Sequence, residues 1–97
     1  MTSVTPNPLP RQLALDQNYP NPFNPTTVIK FSLPKETRIT LDVFNVIGQH
    51  VVTLFDGVKP AGFYDVTFRS DGLASGIYFY RLTTNEKSFV KKMMLVK

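Results

Sequence analysis

A catalytic site needs titratable or nucleophilic side chains that converge in a pocket. This chain offers few. His50 is its only histidine and there is no cysteine, so the nitrogen and sulfur ligands of a usual zinc site cannot be assembled. His50 lies just past Gly48 and reads as an exposed turn residue, not as a general base or metal ligand. Asp56, Asp65 and Asp71 could in principle hold calcium together with backbone carbonyls. Their spacing fits no compact loop, and Asp71-Gly72 reads more simply as turn chemistry. The five glycines, Gly48, Gly57, Gly62, Gly72 and Gly76, are isolated. They build no phosphate loop and are assigned to turns or close backbone approach, with Gly48, Gly62 and Gly72 as structural turns. No nucleophile has an evident base. The expectation is a protein that is not an enzyme, with no metal and no cofactor.

What remains is recognition. Eleven Lys and Arg face seven Asp and Glu, for a net charge of +4. Lys30, Lys35, Arg38, Lys59, Arg69 and Arg81 are scattered, as ordinary solvation requires, so no nucleic-acid footprint is expected. Only Lys87, Lys91, Lys92 and Lys97 cluster. They lie in or beside the segment Ser88 to Val96, where Phe89, Lys91, Met93 and Leu95 alternate with Val90, Lys92, Met94 and Val96. Both faces of that strand are apolar with a lysine. Two readings fit: a central strand with snorkelling lysines, or a terminal or edge strand that a receptor captures by side-chain pockets or strand addition. Phe55, Phe63, Phe79 and Phe89 fall opposite the main core alternation or near turns. They read either as stacking platforms for sugars or bases or as cover for a second sheet or a neighbouring domain.

The elements that must hold these residues are strands. A 97-residue chain with 42% hydrophobic residues makes one small domain. Residues 1–15 read as a proline-rich linker, with a short edge strand at Leu13 and Leu15; residues 16–97 read as the folded domain. Asn18 to Pro25 carries Pro20, Pro22 and Pro25, which exclude helix and central strand alike. It is expected to be an ordered loop whose asparagines bond nearby backbone and whose Phe23 plugs into the core. Thr27, Ile29, Phe31 and Leu33 then alternate with polar or smaller residues, as do Ile39, Leu41 and Val43, then Tyr64, Val66 and Phe68, then Tyr78, Tyr80 and Leu82. Phe44 and Val46 break the alternation and suggest a bulge or a strand covered on both faces. Turn signals at intervals of roughly 8–12 residues argue for an all-β, immunoglobulin-like antiparallel β-sandwich of about seven short strands. No apolar run approaches the ~20 residues of a membrane helix, so no membrane insertion is expected. Met1 to Pro6 lacks the charged and apolar regions of a signal peptide. If the domain works outside the cytoplasm, the chain is a piece of a longer protein.

Five segments occur in order: Asn18-Tyr19-Pro20-Asn21-Pro22-Phe23-Asn24-Pro25-Thr26-Thr27, Val43-Phe44-Asn45-Val46-Ile47-Gly48-Gln49, Ala61-Gly62, Leu73 to Leu82, and Lys91-Lys92-Met93. The ordered set resembles the C-terminal sorting domain of the type IX (Por) secretion system of Bacteroidetes. Its Leu73 to Tyr78 segment is similar to one in the immunoglobulin-like domain of flagellar hook-capping proteins. Phe68 stands where the family often has Trp. The resemblance implies a secretion signal that sends an N-terminal passenger, absent from this chain, from the periplasm across the outer membrane to the cell surface or medium. The implied partners are the outer-membrane translocon and a sortase-like surface peptidase, with cleavage ahead of Leu15. The implied recognition residues are Gly76, Tyr78, Lys92, Met93, Met94, Leu95, Val96 and Lys97. Two other roles fit the same residues: a structural assembly module like the hook-capping domain, and an accessory carbohydrate-binding domain of a secreted hydrolase.

Overall fold

Strand-forming residues at period 2 build every regular element of the computed structural model, which describes residues 9–97. The proline-rich stretch through residue 8 lies outside the described residues. The strands are β1 (Ala14–Leu15), β2 (Thr26–Leu33), β3 (Thr37–Asn45), β4 (His50–Lys59), β5 (Gly62–Arg69), β6 (Gly76–Thr83) and β7 (Ser88–Leu95). They form two antiparallel sheets of order β1-β2-β5 and β4-β3-β6-β7. The two sheets pack face to face, which is the expected immunoglobulin-like sandwich.

The inward residues come from the alternation. Ile29, Phe31 and Leu33 of β2 meet Ile39, Leu41 and Val43 of β3 and Tyr80 and Leu82 of β6, all buried. Leu15 of β1 pairs with Phe31 and joins this core. A full apolar side chain contributes roughly 1.5–3 kcal/mol when removed from water, so these positions carry the fold.

The disturbance read at Phe44 and Val46 is a pair of bulges, but the extra residues lie on the partner strand. Leu41 faces Phe55 and Asp42 faces Thr53, skipping Leu54; Val43 faces Val52 and Phe44 faces His50, skipping Val51. Both skipped residues pack against the core. The β3–β4 hairpin is closed by Asn45, whose Oδ1 accepts from Ile47 N (3.1 Å) and Gln49 N (2.9 Å). Gly48 takes φ +87° there, a backbone conformation that favours glycine. Three glycines lie in strands instead of turns, Gly76 among them as the first residue of β6. Gly57 lies inside β4, and Gly62 opens β5 with the Tyr64 ring 3.5 Å from where a Cβ would stand.

The last strand occupies an edge: β7 pairs only with β6 within its sheet. The central-strand reading is thereby corrected. The reason is topological, since β6 has β3 on its other side.

Phe23 does plug into the sandwich, 2% exposed and edge-on to Phe68 with ring centroids 6.0 Å apart. Phe23→Ala is expected to lower stability by about 3–5 kcal/mol, read as a drop in the urea midpoint at constant slope. An unchanged midpoint would mean the ring is not part of the core.

Candidate recognition site

Proline carries no N–H, so a proline-rich loop must have its carbonyls met by side chains. The Asn18–Pro25 loop does this with buried groups. Thr27 Oγ1 donates to Pro20 O (2.8 Å), Asn18 Nδ2 donates to Thr27 Oγ1 (2.9 Å) and Ser70 Oγ donates to Pro25 O (2.9 Å). Tyr19 and Val28 exchange backbone bonds of 3.0 and 2.9 Å. The bonds Tyr19-Pro20, Asn21-Pro22 and Asn24-Pro25 are cis.

So held, the loop lies along the outer edge of β7. Phe23 N donates to Met94 O (2.9 Å) and Val96 N donates to Phe23 O (3.0 Å). Met94 N donates to Asn21 Oδ1 (2.9 Å), and Gln17 Nε2 donates to Lys92 O (2.6 Å). Lys97 N donates to Ser75 Oγ (3.0 Å). An edge strand normally leaves these groups unpaired. Here the C-terminal half of β7 is clasped by one residue acting as a strand and two side chains acting as caps.

The clasp sorts the residues singled out from sequence. Met93 and Leu95 point into the core, at most 1% exposed. Lys92, Met94, Val96 and Lys97 face outward. Tyr78 is buried and donates its hydroxyl to Ala74 O (2.7 Å). Gly76 pairs with Leu95 and takes φ +150° with open space where a Cβ would stand; backbone conformation, not crowding, calls for glycine. Gly76, Tyr78 and the tail are therefore brought together, but as two layers: anchors beneath, an apolar and cationic surface above. Ile77, Lys92 and Met94 line a pocket of about 160 Å3 with Asn21 and Pro22. Gly48 lies in the β3–β4 hairpin, at the end of the sheet where Asn45 pairs with Tyr78 and Tyr78 with Met93, and Gly72 lies in the turn before β6.

The other candidate groups are dispersed. Asp56 pairs with Arg38 at 2.9 Å and Asp71 with Arg69 at 3.1 Å, while Asp65 stands on β5. His50 Nε2 lies 3.0 Å from both Asp42 Oδ1 and Thr53 Oγ1, a surface polar cluster beside the β4 bulges and not a bare turn residue. Of the four phenylalanines read as outward, Phe63 is exposed and Phe79 stands half-buried on the outer face. Phe55 and Phe89 instead pack against the core. Phe55 also carries the Lys59 ammonium 4.4 Å above its ring.

Gln17, Asn21 and Ser75 as partners of the last strand were not legible in the sequence. Asn21 and Met94 are 73 positions apart, and no local pattern announces such a pairing. The loop's density of Asn and Pro was the only signal, and it marked order without naming the strand it orders.

Tyr80 fastens the other side of the entering chain. Its hydroxyl donates to Asp16 O (2.6 Å) from a fully buried ring. Burial pushes this phenol up to about 12; a backbone hydrogen bond from Asn18 opposes the rise, and the Asp16 charge adds to it.

Fold and edge together define a small β-sandwich module with a clasped, outward-reading last strand. The family described as the secretion system C-terminal sorting domain matches residues 17–97, and the chain belongs to it. It is a C-terminal sorting signal for type IX secretion, directing export to the cell surface or the medium. No curated protein and no solved structure matches the chain.

An unfolded tyrosine titrates near 10, so the Tyr80 contribution is complete below that pH and is lost as pH rises towards about 12. Stability is expected to fall across this window. Tyr80→Phe should flatten that part of the slope in urea titrations at stepped pH; an identical slope would remove Tyr80 as its source.

Proposed function

We propose that the outward layer of the clasped strand is what the outer-membrane translocon reads, and that the domain does this by binding alone, without catalysis. The observation that carries the reading is the division of the tail. Met93 and Leu95 hold the strand in the core, while Lys92, Met94, Val96 and Lys97 are displayed outward beside the Asn21-Pro22 corner. A receptor can take such a strand by side-chain pockets. The protein waits in the periplasm as a folded sandwich. The passenger precedes it, and a sortase-like surface peptidase cuts ahead of Leu15. Ala14 and Leu15 pair with Ser32 and Phe31, and Gln12 O accepts from Ser32 Oγ, so the nearest chain ahead of Leu15 outside these bonds is the proline-containing stretch before Gln12.

The test fuses the chain behind an exported fluorescent protein in a host with type IX machinery. The intact fusion is expected at the surface or in the medium, with a product mass that places cleavage before Leu15. Deleting Lys92 to Lys97 is expected to leave the reporter in the periplasm. Normal secretion of that truncation would sink the assignment of the tail. Periplasmic retention of the intact fusion, with the machinery active on its own substrates, would count against recognition by that host's receptor.

A further inference from the structure

The clasp covers only the second half of the last strand. In an antiparallel strand, residues whose N–H and C=O point to one side alternate. Met94 and Val96 turn these groups towards the loop, so Ser88 and Val90 turn theirs to the same side. Among the described residues, no strand or loop pairs with them there. Val90 is 57% exposed. It borders a groove of about 260 Å3 on the outer face of the four-stranded sheet, lined also by Phe44, Phe79, Arg81 and Val46. The register explains the groove: Phe44, Phe79 and Lys92 form one cross-strand row, and Asp42, Arg81 and Val90 the next.

Asp42 is the one carboxylate in these two rows and is bonded to His50 and Thr53; the other charges beside the groove are cationic. Arg81 lies 4.6 Å from the Phe44 ring centroid. Among the described residues, Arg81, Lys87, Lys91 and Lys92 have no carboxylate within ion-pair distance, whereas Arg38, Arg69 and Lys35 each have one.

We propose that this edge and groove bind an extended acidic–aliphatic peptide segment of a partner protein, added as a strand alongside Ser88 to Lys91, short of the Lys92 carbonyl that Gln17 already holds. The segment's backbone meets the free groups of Val90, its apolar side chains enter the Phe44–Phe79 groove, and its carboxylates face Arg81 and the lysines. A second copy of this chain fits poorly, because it would bring the same lysines against each other. A polyanion would use the charge but neither the strand edge nor the groove. The site lies beside the clasped tail and goes beyond the sorting role: it names a second surface and a different kind of contact.

The experiment titrates the isotope-labelled 97-residue chain with a capped octapeptide that alternates Glu with Val and Phe. Amide shifts are expected at Val90, Phe79 and Arg81, saturating with a Kd below about 1 mM. Val90→Pro removes an outward N–H at an edge position where proline is tolerated, and is expected to weaken binding by up to about tenfold. Arg81→Gln is expected to weaken it and reduce its salt dependence, and carries the test should Val90→Pro lose its fold. The same peptide with Lys for Glu is expected not to bind. No shifts at saturating millimolar peptide would overturn the proposal. So would equal binding by wild type and both variants. Binding that dextran sulfate displaces and Val90→Pro leaves unchanged would also overturn it, in favour of a polyanion site.

Discussion

Phe23 closes the molecule in two ways at once. Its ring seals the core against Phe68, and its backbone pairs with Met94 and Val96 as a one-residue strand. Without its backbone the Met94 carbonyl and the Val96 N–H lose their partner. The constraint behind this is the obligation of backbone polar groups to be paired or solvated. An edge strand with apolar side chains on both faces is a template for unwanted pairing. The Asn-Pro loop removes that template where the strand carries its tail, and its own prolines keep the loop from offering a new one.

The consequences run outward from that residue. Because the clasp takes up the backbone of residues 92–96, what the tail displays there is side chain: Lys92, Met94, Val96 and Lys97. Because the clasp stops short, the backbone of Ser88 and Val90 remains available. One strand thus carries two kinds of surface, one of outward side chains over a bonded backbone and one of unpaired backbone. Asp16 to Asn18, where the chain enters the domain, are tied to Tyr80, Lys92 and Thr27. Entry point and tail therefore sit together, joined directly by the Gln17–Lys92 bond.

Much of the fold was legible because period-2 alternation is local. Ile29, Phe31 and Leu33, or Tyr80 and Leu82, announce their buried face within a few residues. Phe23 was legible for a related reason: a large aromatic amid prolines has nowhere to go but inward. The place of β7 was not, because Phe89 to Val96 is apolar on both faces and so fits a centre or an edge equally well. The bulges were seen at Phe44 and Val46 but sit at Val51 and Leu54, since a bulge is a property of a pair of strands and the sequence shows one at a time. Of the candidate site, Lys92 to Lys97 could be singled out from composition; which of them are anchors required the register with Gly76 to Phe79.

Amide hydrogen exchange at Met94 and Val96 tests the clasp most directly, because those two N–H groups are bonded to Asn21 and Phe23 and to nothing in β6. The account predicts protection close to that of the β6 core amides, and its loss at both positions in Phe23→Ala under conditions where β6 stays protected. Exchange at the rate of a free peptide in the unaltered chain would contradict it, and the last strand would then be an open edge instead of a clasped one.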